Sequence, residues 1–388
     1  MAVIDDQDIR DRAGRDLQQS FIVDAGAGTG KTTVLISRIL GAINSGKSSL
    51  DHIVAITFTE KAAGELKVRL RAELEKALRE YSSEKSSYVR DAMVEIERAQ
   101  VSTIHSFCAT LLRERPIEAG VDPGFEVLDE IGANLLLDQS WEEWLAQEMD
   151  QTASGLAAAL EAGIDIDDIY RLGKFLIHHR DALKVPPVVE ENQEPFLQGL
   201  SKALPQLEKY QIHCLDHTDR GWIQIESLKE SCEALREGIP LSRLMPHALT
   251  LRPNEGNQKY WSPKESLAEV KRIMAKLRED HEDLLAASRH NLAVGLLNWL
   301  KGYARHYDAA KKERGCLDFF DLLYRTRELL KNDREVRGYF QGRFDYLLVD
   351  EFQDTDPLQV EIFFFLAENS PKAKDWTEVR LKPGKLFL

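Results

Sequence analysis

The segment AGAGTGKT, residues 25–32, decides which fold the sequence is expected to adopt. Its small residues let the backbone curl so that successive N–H groups point into one concavity, at the start of a helix whose dipole also favours an anion. The pattern fits a phosphate-binding loop, with Ala25 where the simplest form has a glycine. The alternative is a purely structural one, a flexible glycine-rich turn that caps a helix and binds no phosphate.

In the phosphate-binding interpretation, Lys31 neutralises the β- and γ-phosphates of a nucleotide, and the Thr32 hydroxyl is a ligand of Mg²⁺. The predicted nucleotide-binding residues of the loop are Ala25, Gly26, Ala27, Gly28, Thr29, Gly30, Lys31, Thr32 and Thr33.

Strand and helix patterns alternate on both sides of this loop. Ser20–Val23 has the pattern of a short strand and Lys31–Leu40 that of a helix, and the same order recurs in His52–Phe58 and Thr59–Leu78. A third strand is predicted at Val101–Ile104. Alternation at this spacing predicts a parallel sheet with helical crossovers.

A second chemical signal lies far along the chain, where the apolar run Tyr346–Val349 is followed by Asp350 and Glu351. Alone, such a pair is an ordinary strand end that exposes charge. Beside a phosphate-binding loop it is what a nucleotide hydrolase requires: Asp350 would hold Mg²⁺, and Glu351 would orient and deprotonate water.

Composition limits the classes of partner. The formal net charge of −14 means that any nucleic-acid contact depends on a few locally placed cations. The four cysteines form no C-x-x-C pair, which argues against a zinc ribbon or a disulfide framework and favours a cytoplasmic setting. We expect no membrane association, because no apolar run approaches the length of a membrane-spanning helix.

Several segments, in this order, resemble the motifs of the UvrD/RecB/AddA-like superfamily 1 DNA helicases: AGAGTGKT, AITFTEKAA, TIHSF, LDFFDL and VDEFQDTDPLQ. The resemblance is close over roughly residues 1–116 and 315–360. It implies ATP and Mg²⁺ as cofactors. It also implies that Gln7 reads adenine, where the alternative is a solvent-exposed glutamine, and that Gln353 senses the γ-phosphate beside the catalytic residues Lys31, Asp350 and Glu351.

The resemblance further implies contacts with DNA. The residues that it assigns to DNA binding are Thr57, Phe58, Thr59 and Lys61 in the second motif, and Thr103, His105 and Ser106 in the third. In the second motif of the family an aromatic ring stacks on a base while hydroxyls and a cation hold phosphates, and the third motif lies at the DNA-facing end of its strand. From the residues alone, Phe58 would instead be a buried strand residue and His105 a structural one.

The expected fold is therefore α/β: a P-loop NTPase (RecA-like) parallel sheet with a large all-helical insertion. Strand signals nearly vanish between Val121 and Lys312, while Asp318 is placed to cap a new helix. The predicted domains are residues 1–118 with 315–388, which bind ATP, and residues 119–314, which form the insertion.

By resemblance, the function is that of an ATP-dependent DNA helicase of repair and recombination that moves 3′ to 5′ on single-stranded DNA or a duplex/single-strand junction. A helicase-nuclease, whose partner is a nuclease or a second helicase subunit, is compatible with it. Family topology places Gly384–Leu388 in a strand between the phosphate-loop strand and the Asp350 strand. The chain is expected to stop there, before a Gly-Asp-x-x-Gln motif and a second motor domain, so that it unwinds little alone.

The alternative function is a non-catalytic module that binds ATP and DNA or a partner subunit without turnover. An unrelated phosphate-loop ATPase or kinase is disfavoured by the second motif and by TIHSF.

Overall fold

A computed structural model describes residues 7–24, 26, 29–80, 84–149, 155–180, 184–237 and 251–388. It contains a small parallel sheet and many helices, and it divides into two compact units, residues 1–136 with 309–388 and residues 137–308. Among the described residues, no helix has both the length and the apolar character that crossing a membrane requires.

Helices outnumber strands in the described part of the chain. In chain order, the helices are α1 (Gln7–Arg15), α2 (Lys31–Asn44), α3 (Glu60–Glu80), α4 (Glu84–Glu95), α5 (Ile104–Glu114), α6 (Pro116–Ala119), α7 (Glu130–Glu148), α8 (Gly155–Glu161), α9 (Ile166–His178), α10 (Glu194–Gln211), α11 (Arg220–Arg236), α12 (Lys264–Glu313), α13 (Phe319–Asn332), α14 (Arg334–Arg343) and α15 (Pro357–Ala367). The strands are β1 (Ile53–Thr57), β2 (Gln100–Thr103), β3 (Glu126–Val127), β4 (Cys316–Leu317), β5 (Tyr346–Val349) and β6 (Leu386–Phe387).

The main sheet of the first unit has the strand order β2-β1-β5-β6, and its paired strands are parallel. Phe21 continues it beyond β6 through an isolated parallel bridge to Phe387. Backbone bonds from Val23 to Leu388 (2.7 Å) and from Leu388 to Phe21 (2.9 Å) extend this contact. The predicted strand Ser20–Val23 is thus only a bridge, but the predicted place of the C-terminal strand, between the phosphate-loop segment and β5, is confirmed.

Helices cover both faces of this sheet, which explains why β1 is buried along its whole length. Val54 and Ile56 pack into the core cluster that includes α5, α13 and α15, while Ile53 and Ala55 pack into the cluster with α1, α2 and α3. The alternation follows from the two-residue repeat of a strand. The predicted parallel α/β arrangement of these elements is therefore confirmed.

Arg38 of α2 fixes the edge of the sheet that carries the phosphate loop. Its guanidinium is buried and lies 5.3 Å from the ring centroid of Phe21 and 5.0 Å from that of Phe387. It donates to the main-chain carbonyls of Ala13, Asp16, Gln19 and Gly384. A buried cation is stable only when paired in this way, so Arg38 ties α1 and β6 to α2.

The regular elements within residues 137–308 that the structure describes are helices and one short 3₁₀ turn, with an isolated bridge between Cys214 and Trp261. One apolar cluster runs from Phe196 to Leu284. A second contact group joins Trp141 to Trp299 and Tyr303 at centroid distances of 5.7 and 5.1 Å.

The predicted boundaries at residues 118/119 and 314/315 stay predictions, whereas the compact units divide at 136/137 and 308/309. Residues 119–136 lie in the first unit because β3 pairs in parallel with β4, Glu126 with Cys316 and Val127 with Leu317. This two-stranded sheet was not expected, since two residues are too few to show a periodic pattern.

Candidate functional site

The phosphate loop ends in a glycine that the helix start requires. Gly30 precedes α2 with φ 96°, a conformation that L side chains rarely adopt, and its carbonyl accepts the N–H groups of Thr33 (2.9 Å) and Val34 (3.2 Å). On the other side, the Thr29 hydroxyl donates to the Gly26 carbonyl at 2.6 Å. Ala25, Ala27 and Gly28 lie outside the described residues.

The phosphate loop and the acidic residues after β5 are in contact in the folded chain. Lys31 Nζ lies 2.9 Å from Glu351 Oε2, although 320 positions separate the two residues. The hydrogen bond from Lys31, followed by that from Gln353 Nε2, lowers the pKa of Glu351. The same contact with Glu351 raises the pKa of Lys31. The lysine is thus held as a cation and Glu351 as a carboxylate.

Glu351 has an uncommon backbone. With φ 54° and ψ 45°, it is the one non-glycine residue with positive φ in the described part of the chain. Such a conformation costs about 1 to 3 kcal/mol and is concentrated at functional sites. It turns the chain from β5 into the short 3₁₀ turn Phe352–Asp354, which returns the Gln353 side chain to the Glu351 carboxylate.

Asp350 closes β5 and is half-buried. Its backbone N–H donates to Ile56 O at 2.8 Å, and its carboxylate accepts the N–H of Glu351 at 3.1 Å. Burial, and then the charge of Glu351, raise the pKa of Asp350. A bound dication would offset both effects, and oxygen donors such as the Asp350 carboxylate and the Thr32 hydroxyl are what Mg²⁺ prefers. The residues therefore fit the expected metal.

A cavity of about 240 Å³ adjoins the phosphate loop. Its walls are mostly apolar, and they come from α1, from the Phe21–Asp24 segment and from the start of α2; they include Ile9, Phe21, Val23 and Val34. Arg10 and Lys31 supply cations at its margin. An apolar slot beside a phosphate-binding loop is suited to the base and sugar of a nucleotide.

The end of β1 carries the second motif. Thr57 is buried and donates its hydroxyl to Thr59 O at 3.1 Å, while the Thr59 hydroxyl accepts the N–H of Ala62 at 3.1 Å and so caps α3. Phe58 is 65% exposed, so the alternative that it is a buried strand residue is wrong. Lys61 is also exposed. The exposed ring of Phe58, the hydroxyl of Thr59 and the ammonium of Lys61 thus lie within four consecutive residues.

The third motif ends the neighbouring strand, since Thr57 is in register with Thr103. Thr103 caps α5 by accepting the N–H of Ser106 at 3.3 Å. The ring of His105 lies 4.9 Å from that of Phe319, which is 45% exposed. Burial lowers the pKa of His105, so this imidazole is neutral at physiological pH. The carboxyl ends of the parallel strands thus bring the residues predicted to bind ATP and those predicted to bind DNA to one edge of the sheet.

Comparison with known proteins decides the family. The family description "UvrD/REP helicase N-terminal domain" matches residues 7–374. The chain belongs to the UvrD/REP helicase family. As a UvrD/REP helicase domain it has a P-loop fold, and the suspected resemblance is confirmed.

Curated relatives are named as subunits of an ATP-dependent helicase/nuclease. That of Pediococcus pentosaceus is 25% identical over 91% of this chain and 32% of its own length. The protein of Syntrophomonas wolfei is 27% identical over 89% of this chain and 31% of its own. The protein of Bacillus velezensis is 26% identical over 93% of this chain and 33% of its own length. The chain therefore spans about a third of the length of these relatives.

The UvrD/REP helicase domain also contains site residues that sequence reasoning did not single out. Arg10 donates to Thr29 O of the phosphate loop and lines the cavity, whereas Gln7 donates to Asp11 at 2.8 Å and is not among the cavity's lining residues. Glu60 joins the second and third motifs through Thr103 and Ser106. Arg10 is three positions from Gln7 on α1, a helix spacing that could have indicated it. The roles of the individual site residues in binding remain predictions.

Proposed function

We propose that this chain binds Mg–ATP between its phosphate loop and the end of β5, and binds single-stranded DNA along the ends of β1 and β2, as part of an ATP-dependent DNA helicase of repair and recombination. The family and the names of the relatives support this function. Asp350 and Thr32 would hold Mg²⁺, Lys31 would neutralise the terminal phosphates, and Glu351 would accept the proton of the attacking water.

The contact between Lys31 and Glu351 carries the proposal. Lys31 at the start of α2 and Glu351 in a strained turn are 320 positions apart in the chain, and folding brings their charged groups into contact. In this proposal Lys31 would be the cation for phosphate and Glu351 the base for water, and Gln353, which donates to the same carboxylate, would respond to a γ-phosphate. This arrangement supports ATP hydrolysis rather than binding alone.

The wider assignments rest on resemblance and on the relatives' names. We propose movement 3′ to 5′, a role in a helicase-nuclease with a partner subunit, a cytoplasmic setting, and residues 119–314 as a helical insertion in the ATP-binding domain. The helices within residues 137–308 support the last of these. By family resemblance, unwinding also depends on arginines of a second motor domain.

The experiment is fluorescence-anisotropy titration of labelled single-stranded DNA. Phe58→Ala should weaken binding by roughly 5- to 150-fold, the range for loss of one stacked base. The control is Phe175→Ala, because Phe175 has a similar exposure (59% against 65%) and lies on α9 in the second unit. Equal DNA affinities for wild type, Phe58→Ala and Phe175→Ala would refute the proposed DNA site.

A further inference from the structure

A carboxylate of the second motif contacts the third motif. Glu60, the first residue of α3, accepts the hydroxyl of Thr103 at 2.7 Å and that of Ser106 at 2.8 Å, both on Oε1. The two hydroxyl oxygens are themselves 3.1 Å apart. Glu60 thus connects the ends of β1 and β2 at the edge where the DNA contacts are expected.

The hydrogen atoms of this group can be counted. A hydroxyl has one hydrogen to donate. That of Ser106 points to Glu60, and that of Thr103 points to Glu60 or to Ser106, so in either case both stay inside the group. Thr103 Oγ1 also accepts the Ser106 N–H. Neither hydroxyl can therefore donate to a DNA phosphate while Glu60 holds it.

The end of β1 differs in this respect. The Thr59 hydroxyl accepts the N–H of Ala62, which leaves its hydrogen available, and the exposed Lys61 ammonium lies in the same turn. The first turn of α3 adds main-chain N–H groups and the positive end of the helix dipole. Phosphate contacts are thus more favourable at Thr59 and Lys61 than at Thr103 and Ser106, whose hydroxyls point to the Glu60 carboxylate.

We propose that Glu60 is a positioning residue that accepts the hydroxyl hydrogen bonds of Thr103 and Ser106, keeps DNA phosphates away from the end of β2 and limits the affinity for single-stranded DNA. This proposal rests on the proposed function, because it concerns the same DNA site. A limited affinity for DNA suits a protein that must release each nucleotide of the DNA as it moves along the strand.

The test compares Glu60→Gln and Glu60→Ala with Glu65→Gln in the anisotropy titration. Glu65 is exposed on α3, so its substitution makes the same change in net charge away from the motifs. Both Glu60 variants should bind single-stranded DNA more tightly than wild type, by roughly threefold, which is the effect in water of one unit charge about 6 Å away. The gain should shrink at high salt because the interaction is screened.

A purely structural role predicts the opposite sign. If Glu60 only held the strand ends together, Glu60→Ala would weaken DNA binding, and that result would overturn the proposal. So would a Glu60→Gln affinity equal to that of Glu65→Gln. The Phe58→Ala titration keeps the two ideas separate: if Phe58→Ala binds DNA normally, the proposed DNA site itself is wrong, whereas a loss in Phe58→Ala with unchanged Glu60 variants rejects only the role of Glu60.

Discussion

A buried lysine in the central part of the sheet makes a pH-dependent stability prediction. Lys385 lies beside β6, is 1% exposed, and donates to Gln341 O at 2.7 Å. Burial, followed by the nearby charge of Lys382, lowers its pKa from 10.5 to about 8. A difference of this size between the folded and the unfolded chain corresponds to about 3 kcal/mol.

The sign follows from proton binding. Below pH 8 the lysine is charged in both states, and the folded state bears the whole cost of burying the charge. Between about pH 8 and pH 10.5 the unfolded chain binds more protons than the folded chain, so this group makes the free energy of unfolding rise with pH. Lys385→Met removes the titration. At pH 7 it should stabilise the protein by about 2 kcal/mol, since the lost hydrogen bond offsets about 1 kcal/mol of the gain.

The assay is urea denaturation of wild type and Lys385→Met from pH 7 to pH 10. The advantage of the variant should fall by about 2 to 3 kcal/mol over this range. The control is Lys47→Met, because Lys47 is exposed, follows the end of α2 and is not among the charges that shift the pKa of Lys385. A wild-type–variant difference that stays constant with pH would refute the burial argument.

Three further predictions concern the site and its supports. Glu351→Gln should strengthen Mg–ATP binding severalfold while it abolishes hydrolysis, because Lys31 is released from a competing carboxylate; weaker binding in a calorimetric titration would contradict this. Lys311→Met should lower the free energy of unfolding by about 3 to 5 kcal/mol, since it removes the buried ammonium that pairs with the carboxylates of Asp318 and Asp321; an unchanged urea midpoint would exclude it. His105 should titrate below its ordinary pKa of about 6.5 in an NMR pH series because it is partly buried against Phe319; a midpoint above that value would be contrary evidence.

The elements with strong local patterns could be predicted from the sequence. The strand Tyr346–Val349 has its predicted bounds, and the apolar run His52–Phe58 contains β1. Asp318 caps α13 as expected, and Asp321 completes a reciprocal capping box. In each case neighbouring residues carry the whole signal, either as a continuous apolar run or as a capping side chain at a fixed offset.

Features that depend on distant partners could not be predicted. Nothing near Arg38, Lys311 or Lys385 in the sequence marks them as buried cations, because their partners are carbonyls and carboxylates reached only after folding. Phe58 shows the same limit at a strand end: its apolar side chain favours burial, but β1 stops at Thr57 and the ring is left exposed. The motif resemblance instead predicts that the ring stacks on a DNA base, which an exposed ring permits, and that role stays a prediction.

Calorimetric titration with Mg–ATP tests most directly whether Lys31 holds the phosphates of ATP next to the carboxylates at the end of β5. Lys31→Ala should bind at least about tenfold more weakly than wild type, the loss expected for one charge-assisted hydrogen bond. Lys47→Ala, at an exposed lysine after the end of α2, should bind like wild type. Equal Mg–ATP affinities for wild type and Lys31→Ala would show that Lys31 does not hold the phosphates of ATP.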